Sequence, residues 1–131
     1  KILKKKASNG GSSDGNNKQL LSPTGLLPRS VSYGSTYDTF FVIFHDGSWK
    51  YQGRGIPKSL EHNLKERQNR ADLVVCNLGP NGEWFMKAEN GKMWWSGISQ
   101  ELETSLEKIM ETGHLHNLDF GENGSYFVSY D

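Results

Sequence analysis

The chain has 131 residues, 34% of them hydrophobic, with 15 basic side chains, 15 acidic ones and a single cysteine. That length suits one domain and is short for a two-domain enzyme. Cys76 alone excludes a disulfide framework and a four-cysteine zinc site. No apolar run approaches the roughly 18 residues of a membrane span, and no signal-peptide pattern is present. Starting at Lys1, the chain reads as a piece of something longer.

The balanced net charge conceals a division. Residues 1–30 carry Lys1, Lys4, Lys5, Lys6, Lys18 and Arg29 against Asp14, a net of +5. Residues 31–131 hold nine basic and 14 acidic side chains, a net of −5, together with all 15 aromatic residues. The Ser-, Gly- and Asn-rich stretch around residues 7–17 has nothing to bury and cannot offset its ordering entropy. This predicts a disordered basic tail over 1–30 and a folded unit over 31–131. Lys4-Lys5-Lys6 reads first as a solubilising run, with a nuclear-import patch as the alternative. Arg29 stands three residues before Ser32, the spacing read by basophilic kinases, which makes Ser32 a phosphorylation candidate.

The folded unit repeats itself. Gly79-Pro80-Asn81-Gly82-Glu83-Trp84-Phe85 recurs 42 residues later as Gly121-Glu122-Asn123-Gly124-Ser125-Tyr126-Phe127. Upstream, Phe40-Phe41 stands for Trp84-Phe85, Asp46-Gly47 for Asn90-Gly91 and Gly53 for Gly97. Ile56, Leu60 and Leu64 likewise match Ile98, Leu102 and Leu106. The copies are 31–70, 71–113 and a shortened 114–131, with Asp131 either a cut within a longer array or the end of a closing cap.

Each copy reads as strand, turn, strand, tight turn, strand, helix. Leu73 to Leu78 is a β-branched run, Pro80-Asn81-Gly82 a turn and Glu83 to Glu89 a second strand. Asn90-Gly91 and Asp46-Gly47 predict two-residue type I′ hairpins. Ser99 caps the second helix, Leu102, Leu106, Ile109 and Met110 stripe it, and Gly113 stops it. In the first helix, Pro57 opens and Leu60 and Leu64 form the stripe. The predicted class is α+β: tandem repeats of about 42 residues forming an antiparallel sheet with two packed helices. A partial propeller-like array is the alternative, since that period is also a propeller's.

Two-residue hairpins would pair Lys87 with Trp94 and Ile43 with Lys50, and alternation would place these four on one face. Trp94 then occupies the place that copy one gives to Lys50. A position that accepts lysine is solvent-reachable, so Trp94 is the candidate exposed aromatic, with Lys87 stacked beside it. Asp46-Gly47-Ser48-Trp49 resembles the hairpin of tryptophan-glycine repeats; copy two breaks that pattern, and no function is carried over from it.

Catalytic signals are thin. Cys76 ends an apolar strand and reads as inert. His114 and His116, at alternate positions with Asp119 nearby, form an incomplete metal shell, so no metal is expected. The Gly-x-Asn-Gly turns lie between strands and lack a phosphate loop's lysine and hydroxyl. Glu103, Glu107 and Glu111 form an acidic ridge on the second helix, a dock for a basic partner or for the chain's own tail.

These features predict a non-catalytic protein-interaction or regulatory module of a larger cytoplasmic protein, with a nuclear location left open by Lys4-Lys5-Lys6. It needs no cofactor, makes no membrane contact, and has Trp94, Lys87, Lys50, Glu103, Glu107 and Glu111 as its binding residues. A small-ligand or carbohydrate-binding domain is the second expectation. Nucleic acid ranks third, because the folded unit is acidic, and an enzyme last.

Overall fold

A computed structural model describes residues 27–131. Lys4-Lys5-Lys6 and the expected contact between tail and body involve segments outside the described residues. Three strands come first, β1 (Pro28–Tyr33), β2 (Phe40–Phe44) and β3 (Trp49–Gln52), followed by α1 (Lys58–Lys65). Then come β4 (Leu73–Leu78), β5 (Trp84–Ala88), β6 (Met93–Ser96) and α2 (Gln100–Thr112), and finally β7 (Leu115–Phe120) and β8 (Tyr126–Tyr130). β1 thus begins inside the segment assigned to the tail.

The class is mixed, as expected, but the single sheet is not. The strands form three small antiparallel sheets, ordered β1-β2-β3, β4-β5-β6 and β7-β8, with two helices and no closed barrel. The physical reason lies in the middle sheet, which is apolar on both faces. Cys76, Leu78, Trp84 and Met86 pack with Phe41 and Ile43 of the first sheet and Leu60 and Leu64 of α1. Phe85, on the opposite face, packs with Leu118, Phe120 and Val128 of the third sheet and Leu102, Leu106 and Ile109 of α2. Side-by-side strand pairing would have left one of those faces in water, whereas face-to-face stacking buries both.

Polar groups at these contacts are satisfied across the sheets. The Ser32 hydroxyl accepts from the Leu78 N–H at 2.9 Å. The Asn77 amide donates to Asn117 Oδ1 and to the Leu118 carbonyl, each at 2.8 Å. Paired in this way, these buried and part-buried groups fix the stacking register without leaving a polar atom unsatisfied.

Both tight turns differ from expectation by one residue. The Ala88 N–H donates to the Lys92 carbonyl and the Gly91 N–H to the Ala88 carbonyl, so the loop is Glu89-Asn90-Gly91. Phe44, Ser48 and Gly47 bond identically in the first sheet. Only the glycine is left-handed, with φ of +85° at Gly47 and +88° at Gly91. This is the three-residue hairpin, a type I turn closed by a glycine bulge, and the acceptor side chains favour it. Asp46 Oδ1 accepts from the Ser48 N–H and Asn90 Oδ1 from the Lys92 N–H, a local bond that holds these residues in ordinary turn geometry.

The helices follow the sequence closely, except that Met110, expected on the apolar stripe of α2, is exposed. Ser99 caps α2 by accepting from the Leu102 N–H at 3.1 Å, and Pro57 precedes α1. Gly113 ends α2 as expected, and the reason lies in what packs against it. Its backbone is extended, and a Cβ there would sit 1.8 Å from the Asp131 carbonyl oxygen. The glycine is required by the close approach of Asp131, the residue after β8.

Candidate functional site

The one-residue change in hairpin register reverses the sheet faces around Trp94. Met86 stands opposite Trp94, Lys87 opposite Met93 and Phe85 opposite Trp95. Trp94 therefore belongs with Trp84 and Met86, on the side covered by α1, and Lys87 lies on the side covered by the third sheet. The expected Lys87–Trp94 stack is corrected accordingly. Lys87 instead donates from Nζ to the Leu115 carbonyl at 3.2 Å, tying the second sheet to the third. Lys50 is exposed on β3 opposite Val42, away from both.

Trp94 is half-buried, and its ring carries the Arg67 guanidinium 4.4 Å from its centroid. Arg67 comes from the segment just after α1 and pairs through Nη2 with Asp72 Oδ2 at 2.6 Å. Its side chain is only 7% exposed. A desolvated guanidinium over an indole is worth about 2 kcal/mol, so the pair acts as a clamp on the indole plane. The cation beside Trp94 is thus Arg67 from α1's C-terminal side rather than Lys87 from the neighbouring strand.

The remaining surface of Trp94 opens into a groove of about 400 Å³, lined by Ser59, Asn63, Trp84, Met93, Trp94, Trp95, Ser96 and Glu103. α1 supplies Ser59 and Asn63 as one wall, and α2 supplies Glu103 as the other. All four residues of β6 form the floor. Because successive side chains of a strand point to opposite faces, one groove touches all four only by running along the strand's edge. β6 is the outermost strand of its sheet. The groove is therefore an edge site, with Trp94 and Ser96 toward α1 and Met93 and Trp95 toward α2.

Trp84 is fixed at the base of the groove. It is 1% exposed, and its indole N–H donates to Ser59 Oγ at 2.8 Å. Trp95 stacks on Phe85 with centroids 6.5 Å apart. On α2, Glu103 is partly buried where it meets the groove, while Glu107 and Glu111 run on along an exposed face. Of the six candidate binding residues, the structure brings Trp94 and Glu103 together and sets Lys87, Lys50, Glu107 and Glu111 outside the groove. Ser32 lies inside β1, 7% exposed, its hydroxyl engaged by Leu78. A kinase reaches it only when β1 leaves its sheet.

The catalytic candidates disperse. Cys76 is buried, and desolvation pushes its thiol far above the ordinary range, which removes thiolate reactivity. His114 and His116 do converge on a carboxylate, but on that of Asp131 rather than Asp119. His116 Nε2 lies 3.1 Å from Oδ2 and His114 Nδ1 3.5 Å from Oδ1. Among the described residues no group of three such side chains is arranged to hold a metal ion. The His116 hydrogen bond first, and then the charges of both imidazoles, hold the Asp131 carboxyl below its ordinary pKa. A depressed carboxylate contributes stability that is present above its unfolded-state pKa and lost as the pH falls through the lowered folded-state value. The carboxyl-carbon NMR titration of Asp131 is expected to have its midpoint below that of a free aspartate and to return toward it in His116→Ala.

Sequence reasoning missed Arg67, Ser59 and Asn63. Ser59 and Asn63 stand four apart on the flank of α1 beside the Leu60/Leu64 stripe, a spacing that signals a shared helix face. Arg67 carried no signal, because only the path of the chain after α1 brings it over Trp94.

The chain matches no protein-family model, no curated protein and no solved structure. Among the described residues no helix is long and apolar enough to cross a membrane.

Proposed function

We propose that residues 27–131 are a non-catalytic protein-interaction module made of repeated strand-strand-strand-helix units, stacked as in part of a propeller, with the groove between successive helices as the contact surface. The repeat reading draws support from equivalent irregularities. The first strand of each sheet has a register shift at the same offset, at Pro28/Ser30, Leu73/Val75 and Leu115/Asn117. Left-handed glycines also recur as pairs, Gly47 with Gly91, Gly53 with Gly97, and Gly82 with Gly124. Bulges and positive-φ glycines are determined by local sequence, so matching positions argue for one ancestral unit.

The observation that carries the interaction reading is the groove itself: an unpaired strand edge, a clamped tryptophan and an acidic side chain held between two helices. Aromatic anchors in a partly desolvated recess are what interaction surfaces concentrate. A carbohydrate site would draw on the same tryptophans. However, Trp94 and Trp95 point to opposite faces of β6, and Trp84 is buried with its N–H already used. Among the described residues the groove offers no coplanar stacking platform, and a protein partner is favoured. We assign the module to the cytoplasm, a compartment that keeps a lone thiol such as Cys76 reduced.

Affinity capture from cell lysate with the full chain tests this. Asn63→Arg fills the groove from the partly exposed rim that α1 provides and should change stability by no more than about 1 kcal/mol. Proteins retained by the wild type should be lost with this variant while it keeps a cooperative melting transition. Retention of the same set by both would end the groove reading.

A further inference from the structure

We infer that the edge of β6 receives an extended basic peptide as a fourth strand of the β4-β5-β6 sheet, with alternate cationic side chains of that peptide set against Glu103. This rests on the groove reading above and names the occupant.

The hydrogen-bond pattern carries the first part. In an antiparallel ladder, pairs that exchange backbone bonds alternate with pairs that do not. Ala88 bonds across to Lys92, so two residues on Met86 bonds with Trp94, and then Trp84 with Ser96. Met93 and Trp95 occupy the non-bonded places, and their N–H and C=O groups point away from β5. Among the described residues neither residue has a further hydrogen-bond partner, and both line the groove. Two donors and two acceptors along about 7 Å of strand are the template for strand addition, in which backbone bonds supply affinity and alternate side chains supply selectivity.

The β6 edge lies in an open groove between Ser59 and Asn63 on one side and Glu103 on the other, which a single extended chain can enter.

Charge sets the sign of the side chains. The groove lining contains one formal charge, Glu103, and no lysine, arginine or histidine. Glu103 forms no salt bridge among the described residues. Arg67, the nearest cation to Trp94, is already committed to Asp72. Met93 and Trp95 point to the same side as Glu103, so an incoming arginine or lysine lays its stem over them and brings its charge to the carboxylate. Glu107 and Glu111 continue the acidic field along α2. On the α1 side, the peptide's intervening residues meet Trp94, Ser59 and Asn63, a surface for small or β-branched side chains.

The probe is the peptide acetyl-Arg-Val-Arg-Thr-Arg-Val-amide, titrated into the full chain and followed by the backbone amide signals of Met93 and Trp95. Both signals should shift and their hydrogen exchange should slow. Peptides N-methylated at odd or at even residues should differ in affinity at least tenfold, because only one parity of amides faces β6; each tenfold step is about 1.4 kcal/mol. The twin peptide with glutamate for arginine should bind at least tenfold more weakly, and Glu103→Gln should shrink that preference. Equal affinity of the two N-methylated forms, an unchanged Met93 and Trp95, or indifference to peptide charge would each overturn the inference. If the peptide fails while lysate capture still depends on Asn63, the interaction reading stands and this occupant is wrong.

Discussion

Gly47→Ala should destabilise the protein by about 3 kcal/mol or more, whereas Gly91→Ala, at the same place in the next hairpin, should cost about 1 kcal/mol. Both glycines close a three-residue turn, with φ of +85° and +88°, and an alanine pays the same left-handed strain at either. Their surroundings differ. A Cβ on Gly91 meets nothing within 4 Å, while one on Gly47 would lie 2.2 Å from the Ala71 carbonyl oxygen and 2.7 Å from its carbon. Backbone, unlike the end of a flexible side chain, cannot swing away. The segment between α1 and β4 would have to move, and with it the bond from the Leu73 N–H to the Gly47 carbonyl at 3.2 Å. Urea unfolding of the two variants checks this; equal losses would mean that the turn strain alone matters.

Arg67→Ala is the second large effect, expected to cost about 3–4 kcal/mol. Removing one member of a buried ion pair strands the other, at roughly 3–5 kcal/mol, and the partial exposure of Asp72, at 26% of its side chain, trims that figure. The pair is imperfectly satisfied already, since Arg67 Nε and Asp72 Oδ1 are buried without a hydrogen-bond partner among the described residues. Replacing both members should therefore be far milder than the single changes suggest. In a double-mutant cycle with Arg67→Met and Asp72→Asn, the expected coupling is about 2 kcal/mol. Arg67→Met should also change the fluorescence of Trp94, whose ring loses its cover, and weaken any ligand that relies on that ring's fixed plane. Additive losses with unchanged fluorescence would show that the guanidinium neither pairs nor clamps.

The histidine pair shows how a local pattern falls short of a site. Alternate spacing did bring His114 and His116 to a common carboxylate, as period two implies. Which carboxylate was fixed by strand pairing: the Asp131 and His114 backbones bond reciprocally at 3.1 Å, and that closes the end of the third sheet around them. Asp119 instead accepts from the Phe120 N–H.

Local chemistry alone determined most of the elements. β-branched and aromatic runs marked β2, β4 and β5 but not β1, Ser99 and Pro57 opened the helices, and glycines set the turns, because each depends on a few neighbouring residues and their dihedral preferences. Trp94 and Glu103 stood out in the sequence, one as an aromatic expected where the first hairpin has a lysine and the other on an acidic helix ridge, and the structure brings both to one groove. Tertiary structure decided the rest. A turn with one more loop residue than expected moved every partner of β6 by one place, and in a strand that reverses the face of each side chain. That single step transferred Trp94 from Lys87 to Arg67. The stacking of three sheets, rather than their fusion into one, was equally invisible locally, because a strand buried on both faces carries no alternation to say which neighbour covers which side. The groove exists only because that stacking sets α1 and α2 on either side of the β6 edge, a relation between helices some 40 residues apart in the chain that no local preference encodes.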